Sequence, residues 1–154
     1  MKTKRPLSIY IHIPFCVRKC LYCDFLSAPA SGETMEAYAS CLCREIEAAG
    51  KLYPDYEVRT VFFGGGTPSI LKKERICQIM EALRRAFSLA EDAEITIEVN
   101  PGTVDADKLA AYYAAGINRL SIGVQSLQGN ELQALGRIHS TEDFFQTYSM
   151  AIKS

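Results

Sequence analysis

The sequence has almost no imbalance of charge. Its 17 lysines and arginines face 18 aspartates and glutamates, for a formal net charge of −1, so nothing in it favours nucleic acid or an anionic membrane surface as a partner. It also lacks any apolar run approaching the about 20 residues that span a bilayer, and no transmembrane segment is expected. The basic start Met1-Lys2-Thr3-Lys4-Arg5-Pro6 is followed by neither the apolar stretch nor the small-residue cleavage site of a signal peptide. The six cysteines are therefore read as thiols of a reducing cytoplasm, where clustered cysteine means metal or catalysis more often than disulfides. At 154 residues, 48% of them hydrophobic, the chain has the makings of one globular core and at most one domain, residues 1–154.

What it does have is a concentrated run of soft ligands. Cys16-Val17-Arg18-Lys19-Cys20-Leu21-Tyr22-Cys23 places three thiols on one short loop after an apolar strand, with no fourth cysteine and no matching second pair nearby. An iron–sulfur cubane normally takes four cysteine thiolates; three would leave one iron open to a small molecule, as an open coordination position marks a catalytic metal site. The competing reading is structural zinc, with His12 as the fourth ligand of a Cys3His site. That reading needs a strand residue four positions before Cys16 to point the right way, and zinc motifs usually arrive as two separated pairs. Ligand preference favours the cluster.

Along the chain, strands and helices alternate. Residues 7–14 alternate around β-branched and aromatic side chains and stop at Pro14. Met35, Tyr38, Ala39, Leu42, Ile46 and Ala49 recur at helical spacing, with Gly50 expected at C′. Residues 58–63 form a second strand that runs into Gly64-Gly65-Gly66-Thr67-Pro68-Ser69. A helix carrying Ile76, Ile79, Met80, Leu83 and Phe87 follows, then a strand over 94–100, a helix capped by Thr103 or Asp105 and ended by Gly116, and a strand over 120–125. Short helices are expected from about Leu127 and about Thr141. Four β–α units in this order predict an α/β fold of parallel strands with helical crossovers, with the ligand site beyond the strands' C-terminal ends. An eight-unit barrel needs around 250 residues, so these units read as the N-terminal part of a partial TIM-type barrel.

The unusual residues gather at those strand ends: the cysteines after the first strand, the glycines after the second, Glu98 and Asn100 in the third and Gln125 in the fourth. Gly64-Gly65-Gly66-Thr67 would let backbone approach a ligand, with free N–H groups aimed at it, or would simply be a tight turn; it has neither a P-loop lysine nor dinucleotide-fold spacing. Glu98 could receive a ligand ammonium or hydroxyl, or form a surface salt bridge. Gln125 and Arg137 could contact amide, hydroxyl or carboxylate groups, and Arg137 could equally be a helix-end charge. His139 reads as a surface histidine, Cys41, Cys43 and Cys77 as small buried apolar residues, and Tyr112-Tyr113 and Phe144-Phe145 as helix-to-strand packing.

Taken together, Tyr10-Ile11-His12-Ile13-Pro14-Phe15-Cys16 with Cys20 and Cys23, Gly64 to Ser69, Glu98-Val99-Asn100-Pro101, Arg119 to Ser126 and Leu135-Gly136-Arg137-Ile138-His139 resemble the radical S-adenosylmethionine (SAM) enzymes. Among these, the chain is most similar to the oxygen-independent coproporphyrinogen III oxidases and their heme-chaperone relatives. The resemblance covers nearly the whole chain. It implies a [4Fe–4S] cluster on Cys16, Cys20 and Cys23, SAM chelated to the open iron, an electron-donor protein and a 5′-deoxyadenosyl radical. It further implies Tyr10 and Tyr22 beside the cluster and SAM, Gly65, Gly66 and Thr67 around the methionine end, and Glu98, Gln125 and Arg137 completing the pocket. An acidic residue that the family carries on its fifth strand would lie beyond Ser154. The oxidases carry a further cysteine at the position of Phe25; Cys23-Asp24-Phe25 instead resembles the chaperone branch, whose heme-binding signature lies further C-terminal. The expectation is thus a heme chaperone that binds and delivers heme. The alternatives are an enzyme that oxidatively decarboxylates coproporphyrinogen III and a zinc-stabilised binding module.

Overall fold

The computed structural model describes residues 4–153; Met1 to Thr3 of the basic N-terminal run, and Ser154, lie outside them. Strands β1 (Arg5–Ile13), β2 (Tyr56–Gly65), β3 (Ser88–Val99) and β4 (Arg119–Ile122) form one parallel sheet in the order of the sequence. Between and after them come α1 (Gly32–Gly50), a short 3-10 helix (Pro68–Ile70), α2 (Lys73–Ala86), α3 (Ala106–Ala114), α4 (Gly129–Ala134) and α5 (Thr141–Ala151). The strand order never reverses, so there is no crevice of the doubly wound kind, and the sheet is the wall of an expected barrel.

Alternation along the strands decides which face is covered. Ile11 and Ile13, Val61 and Phe63, and Ile95, Ile97 and Val99 are all buried in a common core with Ala39 and Ile46 of α1, Ile76, Ile79, Met80 and Leu83 of α2, and Leu109 and Tyr112 of α3. Residues two apart share a face. Tyr10, His12, Phe62 and Glu98 therefore look to the opposite side, where Tyr10 stacks on Phe62 with ring centroids 6.1 Å apart. The helices thus cover one face, and the polar and aromatic positions line the other.

Several boundaries differ from the sequence pattern for identifiable reasons. β3 begins at Ser88, six residues before the alternation starts, because Glu57 and Val58 pair with Ser88 and Leu89 before the register breaks and resumes at Thr60–Glu94. β4 ends at Ile122, so Gln125 lies in the turn beyond the strand rather than within it, with φ +63°. Asp105, not Thr103, caps α3 by accepting from the Lys108 N–H, and Gly116 ends that helix with φ +88° as expected. Tyr112 is buried, but Tyr113 (69% exposed) and Phe145 (52%) do not pack onto strands. Cys43 and Cys77 sit partly buried against the core, whereas Cys41 is exposed.

Gly50 is not a left-handed C′ residue. It is the last residue of α1, and its lack of a side chain matters to helix packing instead: a Cβ there would sit 2.4 Å from the Ala86 carbonyl oxygen at the end of α2. Gly50→Ala is expected to push α1 off α2 and cost about 1–3 kcal/mol, as overpacking does. Gly32→Ala, whose Cβ would meet nothing within 4 Å, should change stability by less than about 0.5 kcal/mol. Urea denaturation of the two variants beside the parent chain checks both expectations.

Candidate functional site

Beyond the C-terminal strand ends lies a cleft of about 290 Å³. Cys16, Cys20, Cys23 and Tyr22 of the loop after β1 form one wall. Gly65, Gly66 and Thr67 after β2, Glu98 and Asn100 at the end of β3, Ser121, Gly123 and Gln125 around the end of β4, and Arg137 after α4 form the rest. Of the site residues expected from sequence, Tyr10 alone does not line this cleft; burial first, and then the charge of Glu98, raise its pKa above the usual value. No three His, Cys, Asp or Glu side chains among the described residues are gathered closely enough to share a single metal ion.

The cysteine loop is held by backbone geometry. Ala28 donates to the Pro14 carbonyl at 3.0 Å and Cys16 N–H to the Ala28 carbonyl at 3.2 Å, pinching the loop at its base. Cys23 N–H donates to the Cys20 carbonyl at 3.1 Å, and Lys19 Nζ to the Phe25 carbonyl at 3.1 Å. His12 faces elsewhere: its Nδ1 lies 3.3 Å from the Tyr10 hydroxyl and its Nε2 3.0 Å from the Leu26 carbonyl, so both ring nitrogens have partners outside the cleft.

The glycines act differently from the sequence expectation. The Gly66 N–H donates to the Ile13 carbonyl at 2.8 Å, the Thr67 N–H to the Phe15 carbonyl at 2.6 Å and the Gly65 N–H to Glu98 Oε2 at 3.2 Å. These groups are engaged, not free for a ligand. What the glycines permit is contact: a Cβ on Gly66 would lie 2.4 Å from the Phe15 carbonyl oxygen, and Gly65, at φ +114°, would meet the His12 ring at 2.7 Å. The end of β2 thereby fits against the chain just before Cys16.

Two residues organise the opposite wall. Asn100 donates from Nδ2 to Thr67 Oγ1 at 3.1 Å and accepts at Oδ1 from Arg137 Nη2 at 3.1 Å. Arg137 Nη2 also donates to the Gly123 carbonyl at 2.8 Å, and Nη1 approaches Cys20 Sγ at 3.6 Å and the Tyr22 hydroxyl at 3.4 Å. Arg137 is therefore a cleft residue and not a helix-end charge. Asn100 stood out in the sequence for its place at a strand end and within the run Glu98 to Pro101; its bridging role needs the third dimension. His139, expected at the surface, is 8% exposed and lies behind Arg137.

The cleft's electrostatics follow from this packing. Burial raises the Glu98 carboxyl above its usual value, and the Gly65 N–H opposes that only in part. The Tyr22 hydroxyl is likewise raised by burial, while the Arg137 charge pulls it the other way. Gln125 holds its left-handed backbone without being glycine, a conformation that costs energy and clusters at ligand sites.

The sequence profile of the radical SAM superfamily matches residues 10–154. The chain is 47% identical over 139 residues to the heme chaperone HemW of Escherichia coli (strain K12), covering 90% of this chain and 37% of that protein. It is 42% identical over 144 residues to radical S-adenosyl methionine domain-containing protein 1, mitochondrial, of Bos taurus, covering 94% of this chain and 33% of that one. Among solved structures, coproporphyrinogen III oxidase (HemN) from Escherichia coli, described as a radical SAM enzyme, superposes with a TM-score of 0.90 at 35% identity, over 98% of this chain and 35% of the other. The chain thus spans about a third of the length of these relatives. No helix among the described residues is long and apolar enough to cross a membrane.

Removing Asn100 tests the bridge. Asn100→Ala strips partners from Arg137 and Thr67 in a part-buried site, and should cost about 1–3 kcal/mol in urea unfolding while leaving the far-ultraviolet circular dichroism of the folded chain unchanged.

Proposed function

Since the chain belongs to the radical SAM superfamily, a family whose members use a [4Fe–4S] cluster and SAM, we propose that Cys16, Cys20 and Cys23 hold the cluster and that the cleft beside them takes SAM. One observation carries this reading: the three thiols and the strand-end residues Gly65, Gly66, Thr67, Glu98, Gln125 and Arg137 line the same cleft. The donor set fits. Thiolates are the ligands iron–sulfur clusters prefer, and a cubane distributes them over separate irons, so the three need not meet at one point. His12, with both nitrogens engaged elsewhere, does not complete a Cys3His zinc site.

When bound, the cluster supplies the single electron that radical chemistry on a sulfonium requires. This chain's residues bind and orient. Arg137 turns its Nη1 edge toward Cys20 and Tyr22, where it can hold a carboxylate. Glu98, with Oε2 on the Gly65 N–H, keeps its other oxygen for an ammonium or hydroxyl. Gln125 offers an amide from the far side of the cleft. Tyr10, stacked on Phe62, stands on the same sheet face within electrostatic reach of Glu98.

For the whole protein we favour a heme chaperone that binds and delivers heme, with an electron-donor protein and heme as partners. The support is the 47% identity to the heme chaperone HemW of Escherichia coli, together with Phe25 where the oxidases resembled carry a further cysteine. The second reading, oxidative decarboxylation of coproporphyrinogen III, is favoured by the TM-score of 0.90 to coproporphyrinogen III oxidase. Heme binding and transfer to an apo-hemoprotein, against product formation from coproporphyrinogen III with SAM and a reductant, separates the two.

Anaerobic reconstitution should yield about four irons and four sulfides per chain, with an electron paramagnetic resonance signal of the reduced sample that changes when SAM is added. Serine at Cys16, Cys20 or Cys23 should abolish most of that iron, whereas His12→Ala should leave it in place. Stoichiometric zinc with no cluster, weakened by His12→Ala, is the result that would sink the proposal.

A further inference from the structure

We infer that His139 is a positioning residue for the cleft: its neutral imidazole accepts the Arg137 Nε–H and thereby aims the guanidinium's Nη1 edge at the anionic end of the bound ligand. This rests on the proposed SAM site and goes beyond it, since His139 does not line the cleft.

The hydrogen-bond roles follow from chemistry at two atoms. His139 Nε2 lies 3.1 Å from the Val124 carbonyl oxygen. A carbonyl can only accept, so Nε2 carries the ring proton. That leaves a bare lone pair on Nδ1, which is 3.3 Å from Arg137 Nε, a group that can only donate. The two contacts are mutually consistent only for the neutral ring. A second proton on Nδ1 would set N–H against N–H.

The guanidinium's five N–H donors are distributed unequally. The Nε–H goes to His139, and Nη2 donates to Asn100 Oδ1 at 3.1 Å and the Gly123 carbonyl at 2.8 Å. Among the described residues, Nη1 has only the long approaches to Cys20 Sγ and the Tyr22 hydroxyl, 3.6 and 3.4 Å. Nη1 is thus the edge left for a ligand, and a planar group gripped at Nε and Nη2 cannot rotate that edge away. A carboxylate is the group such an edge recognises.

The surroundings hold the imidazole neutral. Burial lowers its pKa first and the Arg137 charge lowers it further; the Val124 carbonyl and Asp143 in the first turn of α5 act in the opposite direction. Asp143 is itself committed to the N-terminus of α5, accepting from the Ser140 N–H at 2.8 Å. Protonation, when it comes as the pH falls, removes the acceptor from Arg137 Nε.

The test is equilibrium binding of SAM to anaerobically reconstituted, oxidised protein, which binds without turnover, from about pH 7.5 to about pH 5. His139→Asn provides an amide oxygen that can accept but does not titrate, and His139→Leu removes the acceptor. At the upper pH, His139→Asn should bind within about threefold of wild type and His139→Leu about tenfold more weakly, at equal iron content. On acidification, wild-type affinity should fall about tenfold further than that of His139→Asn. Proton uptake by Glu98 is common to both proteins and cancels in the comparison. Identical pH profiles for wild type and His139→Asn would overturn the inference even if His139→Leu fails to fold, and so would wild-type binding by His139→Leu. Wild-type protein that carries its cluster but binds no SAM at any pH would overturn the proposed site itself, and this inference with it.

Discussion

The close passage of two backbones governs where the three thiols can be. The Gly66 and Thr67 amides donate to the Ile13 and Phe15 carbonyls, extending the pairing of β1 and β2 past the strands proper. That extension exists only because Gly66 has no Cβ to collide with the Phe15 carbonyl. Cys16 is the next residue along. Its position is therefore inherited from the sheet, and the loop out to Cys23 departs from a rigid base.

The far side of the loop is fastened by the segment that follows α4. Leu21 N–H donates to the Leu135 carbonyl at 3.1 Å, Arg18 Nη2 to the Gly136 carbonyl at 3.0 Å, and Arg137 reaches Cys20 on one side and the turn after β4 on the other. A second layer supports the cleft from beneath: Ser69 and Thr103 share a hydrogen bond of 2.6 Å, Thr103 donates to the Asn100 carbonyl, and Lys108 caps the Thr103 carbonyl at 3.1 Å. Burial lowers the pKa of Lys108, but the Ser69 and Thr103 carbonyls that accept from its Nζ suit its charged form. Polar groups withdrawn from water in this way must be satisfied, and here they are satisfied by one another.

Much of the architecture could be read from the sequence because periodicity reports burial. The alternation of Ile11 and Ile13 and of Ile95, Ile97 and Val99, and the helical recurrence of Ile76, Ile79 and Leu83, all mark the face that became the core. The convergence of strand ends followed from parallel topology. What the pattern could not carry was anything that depends on a partner distant in the chain. Gly50 looked like a helix terminator and is instead a packing contact with Ala86; the Gly65–Thr67 amides looked available and are bonded to Glu98, Ile13 and Phe15. His139 lies two residues from Arg137 in a segment already singled out, yet its burial depends on Val124 and α5, neither of which its own neighbourhood reveals. The first half of β3 was invisible because only Ser88 and Leu89 pair before the register break, and the residues up to Glu94 do not alternate.

Arg18 and Gly136 stand 118 positions apart in the chain, and this separation has a temporal meaning. A contact of such long range closes a large loop and forms only after the intervening chain has been ordered. During synthesis Cys20 leaves the ribosome 117 residues ahead of Arg137, the residue that reaches it. The cysteine loop is thus made well before the segment that shapes it. Anything that meets this loop earlier meets it before Arg137 has come to lie beside Cys20.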